Sequence, residues 1–152
     1  MLTNHEIHLI RQSFNQLAPA ADRVAGDFYR NLFLIQPALQ LLFPVDLDEQ
    51  KKKLMQMLGA AINLLNRPEK LLPVLEELGR RHALYGVRDE HYETVGAALL
   101  DTLRARLGAS FDAETAGAWT KMYRFVAETM IAGTIELSLA PDRPFAAAET
   151  AF

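Results

Sequence analysis

Cysteine is absent from the 152 residues, which excludes a disulfide framework and every thiolate metal site. That absence suits a reducing compartment. No apolar run approaches the roughly 20 residues that a membrane-spanning helix needs. The N-terminal "MLTNHEIH" has no basic segment followed by an apolar one, so no secretory leader is read and a cytoplasmic protein is expected. Excess charge is also missing. A net charge of −3 gives no electrostatic reason to expect nucleic acid or an anionic membrane as a partner. Sustained period-2 alternation is found nowhere, which leaves no pattern for a sheet. No serine sits in a Gly-x-Ser-x-Gly elbow, so nucleophilic catalysis has little support. The glycines of "GAALLDTLRARLG" lack phosphate-loop spacing and a preceding strand. No two histidines on one helix have the i,i+4 zinc spacing with carboxylate support.

What is present is helical. Half of the residues are apolar and 23% are charged. A chain of this length forms one domain, burying roughly 68–70% of the surface that the unfolded chain exposes. Thr3 and Glu6 have capping-box spacing ahead of Ile7, Ile10, Phe14 and Leu17, and Pro19 ends that helix. A second helix carries Val24, Phe28, Leu32 and Phe33. Pro37 suits the first turn of a short helix, "PALQLLF". Asp46 or Asp48 caps a helix running from about Asp48 to Leu65. Pro68 and Pro73 bracket the entry to the next, and Gly86 stops it. Asp89 caps a helix with Tyr92, Val95, Leu99, Leu103 and Leu107 inward, closed by Gly108. Asp112 starts the last long helix, with Trp119, Tyr123, Val126, Met130 and Leu137. The expectation is one all-α domain over residues 1–140, of seven to eight helices, two of them short. A loose tail over 141–152, "PDRPFAAAETAF", follows.

One residue breaks the pattern. Leu71, Leu75 and Leu78 step along one helix side, and the next position on that side is His82. An imidazole aimed into a core is costly unless something satisfies it. A backbone carbonyl or a water would do so in an ordinary core. The other histidines, His5, His8 and His91, build no site with it. A cofactor that takes one axial imidazole and an apolar slot also fits, and haem is such a cofactor.

With His82 in "LGRRHALYGV" and Phe43 in "PALQLLFP" after Pro37, the chain resembles a globin. It is most similar to the bacterial single-domain globins and to the haem domain of flavohaemoglobins, over about Asn4 to Ile135. The resemblance implies a globin fold around one haem pocket and haem b (iron protoporphyrin IX) as cofactor. It implies His82 as the proximal iron ligand and Phe43 as the ring packed on the porphyrin. Gln50, 32 residues before His82, takes the distal position, Tyr29 in "GDFYRNLF" the distal tyrosine, and Leu54 the apolar residue over the gas. Read on their own, Gln50 is a surface amide and Tyr29 an ordinary core ring. Lys53 and Arg81 fall where related globins reach the haem propionates, although the run Lys51 to Lys53 also reads as a solvated face. Tyr92 matches the tyrosine that packs beside the proximal histidine. The glutamate that flavohaemoglobins pair with it is replaced by Thr134, with Glu136 two residues on. This departure removes support for peroxidase-like chemistry, since a carboxylate acting on the histidine would raise its basicity.

The expected function is binding of dioxygen and other diatomic gases, nitric oxide and carbon monoxide, at an iron that is five-coordinate or water-bound. The Gln50 amide and the Tyr29 hydroxyl are both donors, and dioxygen bound there carries negative charge. The alternatives are a nitric oxide dioxygenase and a gas-sensor fragment. The dioxygenase needs re-reduction at every turnover. Because the sequence ends soon after the globin match, its reductase is expected to come from elsewhere.

Overall fold

The computed structural model of the chain describes residues 2–139, with side chains through residue 134. The expected tail over 141–152 and the side chains of Glu136 and Leu137 lie outside the described residues. Helix α1 (Asn4–Leu17) begins with the reciprocal box that its sequence spells: the Thr3 side chain accepts from the Glu6 amide, and the Glu6 carboxylate accepts from the Thr3 amide. Helix α2 (Ala21–Ile35) follows a 3₁₀ turn at Ala18–Ala20 that contains Pro19. Helices α3 (Asp48–Asn63), α4 (Pro68–Leu84), α5 (His91–Leu107) and α6 (Ala113–Leu139) complete the array. The Asp112 carboxylate accepts from the Thr115 amide and starts α6 as expected. Gly86 and Gly108 have φ of 96° and 54°, the left-handed region where a side chain is strained.

Among the described residues there are six α-helices, not seven or eight. The segment expected as a short α-helix, Pro37–Leu42, is 3₁₀ instead. Pro37 has no N–H, and the Leu39 and Phe43 amides reach back three residues, to Gln36 and Gln40. Gly108–Ser110 is likewise one 3₁₀ turn. Pro73 does not bracket α4 but lies inside it. Without an N–H it leaves the Glu69 carbonyl without its helical partner. Both residues are exposed, so the missing bond lies on the solvent side of the helix and not in the core.

The start of α5 also departs from expectation. Asp89 is not its cap. His91 is buried, and its Nδ1 accepts from the Arg88 amide at 3.0 Å. A ring protonated on both nitrogens cannot accept that bond. Burial, helped by the Arg88 charge and opposed by Glu90, holds the His91 pKa below histidine's usual 6.5. The unfolded chain therefore binds the extra proton first as the pH falls. His91 contributes stability above about pH 6.5 that is lost as the pH drops through the lowered folded value. Urea unfolding at pH 7.5 and 5.0 should show a larger acid loss in the wild type than in His91→Asn, whose amide oxygen accepts at any pH. Equal losses would remove this role.

The core lies between two principal helix pairings, α4 with α6 and α2 with α5, with α1 laid across α6. Trp119 is fully buried, and its indole donates to Ser13 Oγ at 2.8 Å. That hydroxyl passes its proton on to the Leu9 carbonyl, so no donor is stranded.

Candidate functional site

Helices α3 and α4 do not close on each other. Between them a cavity of about 510 Å³ runs inward to α5 and α6. His82, Gln50, Lys53, Leu54, Arg81 and Tyr92 all line it. These came from well-separated stretches, and the fold brings them to one space. Its outer edge is open along α3, where Lys53, Gln56, Met57 and Ala60 are exposed. A volume of this size with mostly apolar walls and few polar groups is what small-molecule and cofactor sites offer.

His82 is 3% exposed. Its Nδ1 lies 2.7 Å from the Leu78 carbonyl one turn earlier. A carbonyl only accepts, so Nδ1 carries a proton, and in the neutral ring Nε2 then carries the lone pair. That is the tautomer a metal-ligating imidazole needs, held by the kind of backbone bond that orients such ligands. Arg81, next in sequence, pairs with Glu77 at 3.6 Å on the exposed side of α4. Lys53 and Arg81 are cations of the lining, and among the described residues no carboxylate lines it. The set fits a flat apolar group that needs one axial nitrogen inside and cationic partners for anionic arms at the rim.

Opposite α4, Gln50 is 3% exposed in the first turn of α3. Tyr29 and Phe43 are not among the lining residues. They belong to an aromatic cluster that adjoins the cavity through Phe28. The Tyr29 ring meets Phe28 edge-on at 5.0 Å and Phe43 at 5.4 Å, and Phe43 meets Phe33 at 5.5 Å. The Tyr29 hydroxyl donates to the Gln50 carbonyl at 3.5 Å, a long bond. Burial raises the Tyr29 pKa above the ordinary phenol range, and a hydrogen bond with the Gln50 side chain acts against the rise. The phenol therefore stays protonated and remains a donor.

On the α5–α6 side, Tyr92 also has its pKa raised by burial, with the Asp89 charge adding to the effect. Tyr123 packs against Gly96, where an added Cβ would lie 2.6 Å from its ring. Its hydroxyl donates to the Tyr92 carbonyl. Tyr123 was read only as core in the sequence, yet it lines the cavity with Val126, Met122 and Met130. Nothing local in the sequence marked these residues as cavity wall rather than core, and only the arrival of α6 beside His82 does. Thr134 turns its hydroxyl back to the Met130 carbonyl of its own helix at 3.4 Å. No helix among the described residues is long and apolar enough to cross a membrane.

Comparison with known proteins agrees with this architecture. The Globin family profile matches residues 26–130. The chain is 29% identical over 137 residues to a protein of Bacillus subtilis (strain 168) named Flavohemoprotein, a stretch covering 86% of this chain and 34% of that protein. The Rhizobium meliloti (strain 1021) Flavohemoprotein is 29% identical over 140 residues, covering 90% of this chain and 35% of the relative. That of Bordetella parapertussis is 30% identical over 135 residues, covering 86% and 33%. The chain thus spans about a third of the length of the curated relatives it matches.

Proposed function

Because this chain belongs to the globin family, we propose that its α3–α4 cavity holds haem b and works on dioxygen and nitric oxide, as the haem part of a nitric oxide dioxygenase. When bound, the haem would supply an iron able to take a diatomic gas. His82 would hold that iron through Nε2, in the tautomer set by its Nδ1 bond to Leu78. Lys53 and Arg81 hold the anionic arms at the open edge. Leu54, Leu58 and Phe28 would keep water from the gas, and the Gln50 amide would offer it a donor, with Tyr29 bonded to Gln50 behind it. Phe43 braces the Tyr29 ring from behind. Tyr92 stiffens the floor beside His82.

The observation that carries the proposal is the buried imidazole with its Nδ1 proton committed to a carbonyl, lining an apolar cavity whose opposite side is closed by a buried amide. The flavin named in the relatives favours turnover over storage, since a dioxygenase must be re-reduced after each event and a flavoprotein reductase can supply the electron. In this reading the chain's partners are dioxygen, nitric oxide and a reductase. Reversible dioxygen binding is the second reading, favoured by the same donor pair.

The test is nitrate formation from nitric oxide and dioxygen by the haem-loaded protein, with and without a flavin reductase and reduced nicotinamide. Many nitrates per haem with the reductase, and about one without it, are expected. One per haem under both conditions would leave gas binding as the function.

A further inference from the structure

We infer that the crossing of α4 and α6 at Gly79 and Gly133 is a positioning device, setting the height and azimuth of the His82 imidazole over the cavity floor. The inference rests on the reading of His82 as axial ligand. The contact is reciprocal. Gly79 on α4 lies against the Met130 carbonyl of α6, and Gly133 on α6 lies against the Glu76 carbonyl of α4. On each helix the glycine stands three residues after the carbonyl that the other helix uses. A Cβ at either glycine would fall well under the 3.0 Å that real Cβ atoms keep, and the atoms in its way are backbone. A side chain can turn aside, but a helical carbonyl cannot, so the helices themselves would have to part.

This crossing is placed where it governs the imidazole. Gly79 belongs to the turn that runs from Leu78, whose carbonyl fixes the His82 ring, to His82 itself. Met130 provides both the carbonyl under Gly79 and a side chain in the cavity wall. The ring and the floor beneath it are therefore registered by one backbone contact rather than through a chain of side chains. Pro73 interrupts the hydrogen-bond ladder of α4 further up, so its N-terminal turns register His82 less well. An isolated glycine inside a helix is less favourable than alanine, and here it permits the close approach of the two backbones. Gly117 of the same α6 has nothing within 4 Å of an added Cβ, which makes it the natural control.

The experiment compares Gly79→Ala, Gly117→Ala and Leu71→Ala in the haem-loaded protein. Leu71 is buried in α4 away from the cavity lining, so its truncation lowers the melting temperature without touching the crossing. Gly79→Ala should shift the iron–imidazole stretching band in the resonance Raman spectrum. It should also speed haem loss to an acceptor apoprotein by at least about tenfold, within what a displacement near 1 Å does at a site. Gly117→Ala should match the wild type in both, and Leu71→Ala should leave the band in place. An unmoved band in Gly79→Ala, or the same shift in Leu71→Ala, overturns the inference.

Should Gly79→Ala not fold, hydrogen exchange of the wild-type protein decides. The amides from Leu78 to His82 and from Met130 to Gly133 must open together, with equal protection; separate opening refutes the tie. A wild type that takes up no haem sinks the reading of His82 instead, and exchange of the apoprotein still reports on the crossing.

Discussion

His82→Leu should abolish haem uptake while leaving the apoprotein at least as stable as the wild type. The two parts have opposite signs, and that separates a ligand from an ordinary core histidine. In the wild type a polar ring, 3% exposed, lies in an apolar wall with its Nδ1 bonded to the Leu78 carbonyl. Leucine removes the polar group. The Leu78 carbonyl is not orphaned, because it still accepts the amide of residue 82 as any helical carbonyl does. Burying the leucine contributes about 1.5–3 kcal/mol, against a lost hydrogen bond of about 1 kcal/mol. The difference, about 0.5–2 kcal/mol in favour of leucine, is reduced by the burial that the imidazole itself gives up, which leaves the apoprotein at least as stable as the wild type. A haem titration followed at the Soret band, with a urea midpoint of the apoprotein, measures both. Retained pigment would refute the ligand role. A fall of more than about 2 kcal/mol in apoprotein stability would mean that the buried hydrogen bond is what the residue is there for.

Local chemistry made much of this fold legible. Thr3 with Glu6, Asp112, Gly86 and Gly108 act through one or two backbone groups in their own turn, and their spacing alone places the helix ends. His82 announced itself as a polar interruption in a leucine stripe. The misses share a different cause. Asp89 stands near the start of α5 and its type and position suit a cap. No side chain caps it; the buried His91 ring accepts from the Arg88 amide just before the helix, and burial is set by the rest of the molecule. Pro73 looked like a boundary, but it is the sixth residue of α4 and lies on the exposed side of that helix, where a missing bond leaves the carbonyl near solvent rather than in the core. The cavity wall was legible on the α3–α4 side, where the resemblance carried residues over one by one. It was not legible on the α6 side. Tyr123, Val126 and Met130 have the spacing of a core stripe, and a wall differs from a core only in what the neighbouring helix leaves empty. Gly79 and Gly133 carried a signal that went unread: glycine in the middle of a strong helix usually has a packing reason.

Tyr29→Phe should release dioxygen about tenfold to a hundredfold faster, with the carbon monoxide off-rate changed by less than about twofold. A hydrogen bond to a charged acceptor is worth about 1.5–3 kcal/mol, and each 1.4 kcal/mol is a factor of ten in release. Carbon monoxide carries little charge and has less to lose. Burial keeps the phenol protonated, so the effect should not vary across neutral pH. The geometry adds a second expectation. Tyr29 adjoins Gln50 rather than the cavity wall, and the Tyr29 hydroxyl is bonded to Gln50. The two act as a pair, with Tyr29 holding the Gln50 amide toward the gas. Gln50→Leu should then raise dioxygen release at least as much as Tyr29→Phe does. The double variant should be little faster than Gln50→Leu alone, an interaction energy of about 1 kcal/mol or more in the double-mutant cycle. Stopped-flow dioxygen displacement on the four proteins measures it. Additive effects would make Tyr29 an independent donor that reaches the gas itself. Equal acceleration for both gases would mean that the substitutions open the pocket by shape, and the donor role would be wrong.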